Sequence, residues 1–282
     1  MVRSTYNLQK KVNWVISMLE INKIHQGDCL ELMKKIPDNS IDLVITSPPY
    51  NMRTRIRNGK YTEREKSEHF SKKYAHFHDA LPIDEYYDFH KQVIQECLRV
   101  GKMLFWNIQI VTGSKEAIFR LMGFFSKNIK DVVIWDKGHG QPSMHDSVLN
   151  RATELIIIFE KDQTAGRAFK ESYFKRGTLS DIWRIKRPKS IKGHGACYPV
   201  ELIKIIIEGW SKERDLILDP FIGSGTTAVV CKQTNRRFIG IELIEDYCKM
   251  AENRLSQNIL FPKARLKRFF KRSGIDLLNN EV

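Results

Sequence analysis

"DLILDPFIGSGTTAVVCKQTNRRFIGIE", residues 215–242, reads as a strand, a glycine loop, a helix and a second strand. "DLILD" (215–219) and "RFIGIE" (237–242) are short, nearly continuous apolar runs, as expected of strands covered on both faces. Between them "GTTAVVCKQT" (225–234) has helical character, and Gly223 and Gly225 allow a tight turn and close backbone approach just ahead of it. A strand, a crossover helix and a strand form the unit of a parallel α/β sheet. Glu242 ends the second strand, 17 residues beyond Gly225, where an acid is placed to bind ribose hydroxyls.

Several ligands compete for this loop. A P-loop needs a lysine inside the glycine loop, and none stands here. A nicotinamide nucleotide suits the glycines and Glu242, but Asp219 puts a carboxylate at the strand end, facing the ligand. That charge repels a pyrophosphate and favours a cation, such as an ammonium or a sulfonium. S-adenosylmethionine, a ribosylated cofactor with an α-amino group, fits better. A turn without any ligand is the plain structural alternative.

The same rhythm extends outward. "IDLVI" (41–45), "KMLFWN" (102–107), "DVVIW" (131–135) and "ELIIIF" (154–159) read as further strands, and 83–100 and 198–210 as helices. Residues 52–82 and 160–197 break the pattern and read as insertions or loops hung on the sheet. The chain of 282 residues is 42% apolar, enough for a real core in one large domain. Its net charge of +14 favours a polyanionic partner, nucleic acid ahead of a membrane surface. No apolar run approaches the roughly 20 residues that span a bilayer, and no cleavable leader follows the basic start, so a cytoplasmic protein is expected. Five widely spaced cysteines without a CxxC pair argue against a disulfide framework and a structural zinc.

A second stretch carries chemistry. "TSPPYN" (46–51) follows the strand "IDLVI", and its two prolines forbid a helix and cannot donate to a ladder. Either it is a proline turn closing a strand, or it is a rigid cradle for a flat polar ligand. In the second case Ser47 and Asn51 offer hydrogen-bonding groups, the carbonyls near Pro48 are fixed, and Tyr50 offers a ring. Methyl transfer to an exocyclic base amine would use such a cradle. The amine lone pair is delocalised into the base, and acceptors holding its N–H bonds favour the pyramidal form that frees it.

Together, "TSPPYN" and "DPFIGSGTT" resemble the bacterial and phage DNA amino-methyltransferases, in the permuted β group where the catalytic motif precedes the cofactor motif. "GDCLELMKKIPDNSIDLVI", "VIWDKG", "ATELIIIFEK", "SDIW" and "YPVELI" also match, so the resemblance covers about residues 21–255. It implies a doubly wound, mostly parallel, seven-stranded Rossmann-like sheet and a reaction that uses S-adenosylmethionine. It assigns Ser47, Pro48, Pro49 and Tyr50 to catalysis, with Ser47 and the Pro48 carbonyl holding the target amine and Tyr50 stacked on a flipped base. It assigns Asp219, Phe221, Gly223, Ser224, Gly225, Thr226 and Glu242 to the cofactor, with Asp28 near its adenine and Pro199 near its methionine end. One methyltransferase domain is expected, with a catalytic half at about 21–160 and a cofactor half at about 198–255. A short target-recognition insertion at 161–197 and a basic tail at 256–282 complete it.

Ser-Pro-Pro is more typical of cytosine-modifying members, and many adenine-modifying ones carry Asp at the position of Ser47. Asn51 after Tyr50 is common in the adenine set. Cytosine N4 is the favoured target, with adenine N6 the alternative; methylation of RNA and an inactive DNA-binding member are the more distant rivals. Double-stranded DNA is the expected partner, gripped by Arg53, Arg55 and Arg57 beside the corner and by Lys175, Arg176, Arg187, Lys189 and Lys192 in the insertion. Residues 161–197 hold ten Lys or Arg against three acids. A recognition region so small makes pairing of two chains an expectation, and a restriction endonuclease acting on the same site another. His69, His76 and His78 lack cysteines or an acid at ligand spacing, so no metal is expected.

Overall fold

The computed structural model describes residues 18–52, 54–57, 60–63, 80–140, 146–163, 166–187 and 199–257, with the backbone alone at 54–57 and 60–63. In chain order the strands are β1 (Lys23–Gln26), β2 (Leu43–Thr46), β3 (Thr54–Arg57), β4 (Lys60–Glu63), β5 (Met103–Ile108), β6 (Ile129–Asp136), β7 (Thr153–Glu160), β8 (Ile182–Arg184), β9 (Leu216–Asp219) and β10 (Arg237–Glu242). The helices are α1 (Cys29–Met33), α2 (Ile83–Val100), α3 (Lys115–Phe124), α4 (Val200–Trp210), α5 (Thr226–Gln233) and α6 (Glu245–Ser256).

Eight strands form one sheet in the order β1-β10-β9-β2-β5-β7-β6-β8, while β3 and β4 pair separately as an antiparallel hairpin. β7 runs antiparallel to both of its neighbours; the other pairings in the large sheet are parallel. The expected doubly wound, mostly parallel sheet is present. The expected count of seven strands is corrected to eight among the described residues.

Two strands of this sheet lie outside the runs read from the sequence, β1 and the three-residue β8, the latter in a stretch read as part of the recognition insertion. The apolar content of β8 is only one turn of a strand, too little for periodicity to register. It is held instead by two indoles: Trp183 Nε1 donates to Ser180 O at 2.8 Å, and Trp135 Nε1 donates to Ile185 O at 2.7 Å. Nearby, Phe169 and Phe174 pack their rings on Trp210, with centroids 5.3 and 4.9 Å away. Much of 166–187 is therefore scaffold around the end of α4, not a free-standing module.

Side chains alternate across the sheet with period two. Leu43, Ile45, Phe105, Ile156, Ile158 and Ile217 join one core layer with α4, α5 and α6. Val44, Leu104, Trp106, Ile157, Phe159 and Leu218 join the other with α1, α2 and α3. Being covered on both faces explains the unbroken apolar runs of the sequence. From the adjacent pair β9 and β2, the chain leaves β9 toward β10 on one side and β2 toward β5 on the other. That divergence opens a crevice at the carboxyl ends of the strands, where open α/β sheets hold ligands.

Candidate active site

The two motifs, 173 residues apart in sequence, meet at this crevice: Thr46 Oγ1 at the end of β2 donates to Asp219 Oδ1 at the end of β9, 3.0 Å away. Beyond Thr46 the corner is braced from beneath by α2, where Tyr86 Oη donates to Pro49 O at 2.8 Å. Tyr86 is fully buried against the ring of His90, with centroids 4.2 Å apart. Burial pushes the His90 imidazole down to about 3, so this support is uncharged at neutral pH. In the corner itself, Ser47 Oγ and Tyr50 Oη are 2.5 Å apart. Tyr50 Oη also donates to Glu154 Oε2 at 3.0 Å and accepts from Asn107 Nδ2 at 2.6 Å.

Asn51 is not part of the ligand-facing set. It is 1% exposed with φ +59°, and its amide donates to Leu81 O and Gly113 O while its Oδ1 accepts from Leu81 N. Its side chain ties the corner to the start of α2 and to the loop between β5 and α3. With both amide hydrogens and its Oδ1 engaged by these neighbours, the side chain is a latch.

On the cofactor side, Asp219 is 1% exposed and both oxygens are used: Oδ1 accepts from Thr46 Oγ1 and from Phe221 N, Oδ2 from Thr227 Oγ1. It therefore ties β2, β9 and α5 together, and its charge acts on the crevice at one remove. Burial pushes its carboxyl up to about 6, against the pull of these donors. Glu242 is also raised by burial; its Oε2 accepts from Gly223 N and its Oε1 from Ile244 N, both at 2.9 Å. Gly223 and Gly225 have φ of +51° and +80°, the turn the sequence demanded. A Cβ on Gly225 would stand 2.7 Å from the Ala251 Cβ, so this glycine also lets α5 approach α6.

The Ser224 and Thr226 side chains, expected at the cofactor, make contacts with α6. Arg254 on α6 donates to Ser224 Oγ at 2.9 Å and to Thr226 Oγ1 at 3.2 Å, and it also bonds Ser224 O. Both side chains are buried against α6, because the glycine loop needs a cation behind it to satisfy its polar groups. Phe221 leans edge-on toward Phe89 of α2 at 6.1 Å. Asp28 caps α1, accepting from Glu31 N at 3.1 Å, and Pro199 precedes α4, with its carbonyl accepting from Leu202 N.

The comparisons with known proteins converge on the same reading. The model of the N6/N4 DNA methylase family matches residues 41–253. The chain belongs to that family. This methylase is 32% identical to the type II methyltransferase M.HinfI of Haemophilus influenzae over 259 residues, 84% of this chain and 69% of that protein. It is 28% identical to M.BglII of Bacillus subtilis over 297 residues, 90% of this chain and 76% of that protein. Its fold is shared with PvuII DNA methyltransferase, described as cytosine-N4-specific, at a TM-score of 0.65 and 19% identity, covering 89% of this chain and 92% of that one. It is shared as well with M1.HpyAVI in its SAM complex, at 0.56 and 22%, covering 83% and 98%.

The expected DNA-facing residues of the methylase divide. Lys175 and Arg176 lie on an exposed turn. Arg187 instead reaches the corner, Nη2 donating to Glu154 Oε1 at 3.2 Å with its side chain half exposed. Arg55 and Arg57 lie on β3, which follows the corner, while Arg53, Lys189 and Lys192, with His69, His76 and His78, lie outside the described residues. The sequence reading missed Asn107, Lys137, Glu154, Tyr86 and Arg254. Lys137 Nζ and Glu154 Oε1 form an ion pair of 3.1 Å whose side chains are 1% and 4% exposed. A signal for that pair was present: Lys137 and Glu154 are charges flanking two strands otherwise read as buried.

Proposed function

We propose that this methylase transfers a methyl group from S-adenosylmethionine to the exocyclic amine of a base flipped out of double-stranded DNA, with cytosine N4 as the target. The observation that carries the proposal is the Thr46–Asp219 contact, which sets the Ser47–Tyr50 corner beside a ribose-type carboxylate and a glycine loop. The residues present suit this cofactor. Glu242, held by two backbone N–H groups, keeps a lone pair on each oxygen for ribose hydroxyls. The carboxylates of buried Asp219 and half-buried Glu242 favour a positive ligand over a pyrophosphate. When bound, S-adenosylmethionine supplies an electrophilic methyl on a sulfonium.

The chain's own residues position the amine. Ser47 Oγ and the Pro48 carbonyl accept its N–H bonds; the neighbouring Pro49 carbonyl is already committed to Tyr86. Tyr50, its hydroxyl fixed at Glu154, presents its ring edge or face to the base from a set orientation. Ser47 in place of an acid supports cytosine, and the one residue that leaned toward adenine, Asn51, is taken up by Leu81 and Gly113. Arg187, Lys175 and Arg176 contribute phosphate contacts, and one chain carrying both motifs forms the catalytic unit. Nucleoside mass spectrometry on unmethylated DNA incubated with the protein and S-adenosylmethionine tests this. N4-methylcytosine is expected; N6-methyladenine would move the target, and methylation of RNA alone would overturn DNA as the substrate.

A further inference from the structure

Glu154 is a carboxylate 4% exposed that collects donors from four separate segments. Lys137 Nζ and Arg187 Nη2 lie on its Oε1 at 3.1 and 3.2 Å, and Tyr50 Oη and Asn107 Nδ2 on its Oε2 at 3.0 and 2.8 Å. We propose that Glu154 is a positioning residue that fixes the direction of the hydrogen bonds in the corner and so leaves Ser47 Oγ as an acceptor for the target amine. This inference rests on the amino-methyltransferase reading above.

The direction follows from counting hydrogens. A carboxylate accepts and cannot donate, so the hydrogen between Tyr50 and Glu154 belongs to Tyr50. A phenol carries one hydrogen, so Tyr50 Oη has none left for Ser47. The 2.5 Å contact between Ser47 Oγ and Tyr50 Oη then carries the serine hydrogen, running from Ser47 to Tyr50. Asn107 Nδ2, donating to Tyr50 Oη at 2.6 Å, fits the same direction. With its hydrogen committed, Ser47 Oγ presents lone pairs to the crevice. Its contact from Asn107 Nδ2, at 3.4 Å, is too long to occupy them well. An exocyclic base amine offers hydrogens, so an acceptor is what it needs. Without a fixed direction, the serine hydroxyl could turn its own hydrogen toward the amine and leave the bond unmade.

Glu154→Gln reverses the chain. Lys137 and Arg187 hold the glutamine oxygen at the Oε1 position, so its amide NH2 takes the Oε2 position, donates to Tyr50 and no longer accepts from Asn107 Nδ2. The Tyr50 hydrogen turns to Ser47, and the Ser47 hydrogen turns outward. On unmethylated genomic DNA with S-adenosylmethionine, the full chain carrying Glu154→Gln is expected to lose about tenfold to a hundredfold in apparent kcat. Its KM for S-adenosylmethionine should stay within about twofold, because no cofactor contact changes. Glu154→Asp, still an acceptor only, should recover part of kcat. In a Tyr50→Phe background the relay is already cut, so adding Glu154→Gln should cost little more. Tyr50→Phe alone leaves both ion pairs of Glu154 intact and should lower kcat with cofactor affinity kept, which tests the chain even where the Gln variant is too unstable to assay. An equal Glu154→Gln loss in both backgrounds, or Tyr50→Phe with full kcat, would overturn the inference while leaving the methylase reading in place. A wild-type chain that methylates no DNA base would overturn the reading, and the inference with it.

Discussion

At the scale of single residues, the site contains charges that stability alone would not retain. Asp219 is buried with a carboxyl pushed up to about 6, so the folded chain holds its proton more tightly than the unfolded chain does. Between the ordinary carboxylate range and about pH 6 the native state binds the extra proton, and stability falls as pH rises through that window. Above it the whole cost persists, on the order of 3 kcal/mol if about two pKa units are converted. Asp219→Asn keeps an acceptor for Thr46 and Phe221 N and removes the charge. The variant is therefore expected to melt several degrees higher than wild type at pH 7.5, with the gap closing toward pH 4. It should also bind S-adenosylmethionine more weakly by equilibrium dialysis. A variant that melts lower at pH 7.5 would show that the Thr227 contact, not the charge, dominates. Sequence reading found Asp219 but not what holds it in place. Its partners Thr46 and Thr227 come from other elements, and hydrogen bonds across 173 and eight residues have no local signature.

At the scale of elements, the corner is a junction more than a loop. Asn51 joins the end of β2 to the start of α2 and the β5–α3 loop through three bonds, at a left-handed φ of +59° that asparagine tolerates better than most residues. Asn51→Ala would leave the carbonyls of Leu81 and Gly113 and the Leu81 N–H without this partner, each costing about 1–3 kcal/mol when buried. A loss of at least about 3 kcal/mol in urea unfolding is expected, with an unchanged m-value. Gly225→Ala is a parallel case on the other motif, strained at φ +80° and meeting the Ala251 Cβ at 2.7 Å. It should weaken cofactor binding and stability together, since α5 must move off α6. The long strands and α2, α4 and α5 were legible because each is a continuous apolar or periodic run. β8 and the β3–β4 strand pair were not: β8 is three residues long and is held by its own Trp183 and by Trp135 of β6, and β3 and β4 have only Ile56 and Tyr61 among polar residues. The supporting half of the site was equally hidden. Glu154, Lys137 and Arg187 lie in three segments, and only the sheet order β5-β7-β6-β8 brings their elements side by side.

At the scale of the whole molecule, a charge of +14 on 282 residues sets how the chain meets a polyanion. Not every cation can meet a phosphate, since some lysines are buried and paired with acids inside the fold. Lys137 is locked to Glu154, and Lys130 to Glu160 at 3.2 Å with side chains 3% and 7% exposed. Exposed cations such as Lys175 and Arg176 differ, standing on a turn whose backbone is closed by Thr178 N donating to Lys175 O. If such residues neutralise phosphates, each releases counterions, and the slope of log K against log salt changes by about one per contact. Lys175→Gln with Arg176→Gln is therefore expected to weaken binding to unmethylated duplex DNA and to lower the salt slope by about two. The loss should be similar on every sequence, because phosphate contacts carry no base information. Cofactor affinity and melting temperature should not move, since neither side chain enters the core. Arg187→Gln makes the contrasting case: it removes one phosphate-directed cation and also one donor of Glu154. It should shift kcat as well as the salt slope, so the two substitutions separate DNA grip from the geometry of the corner. A salt slope unchanged in the Lys175/Arg176 variant would place the DNA path elsewhere on the chain.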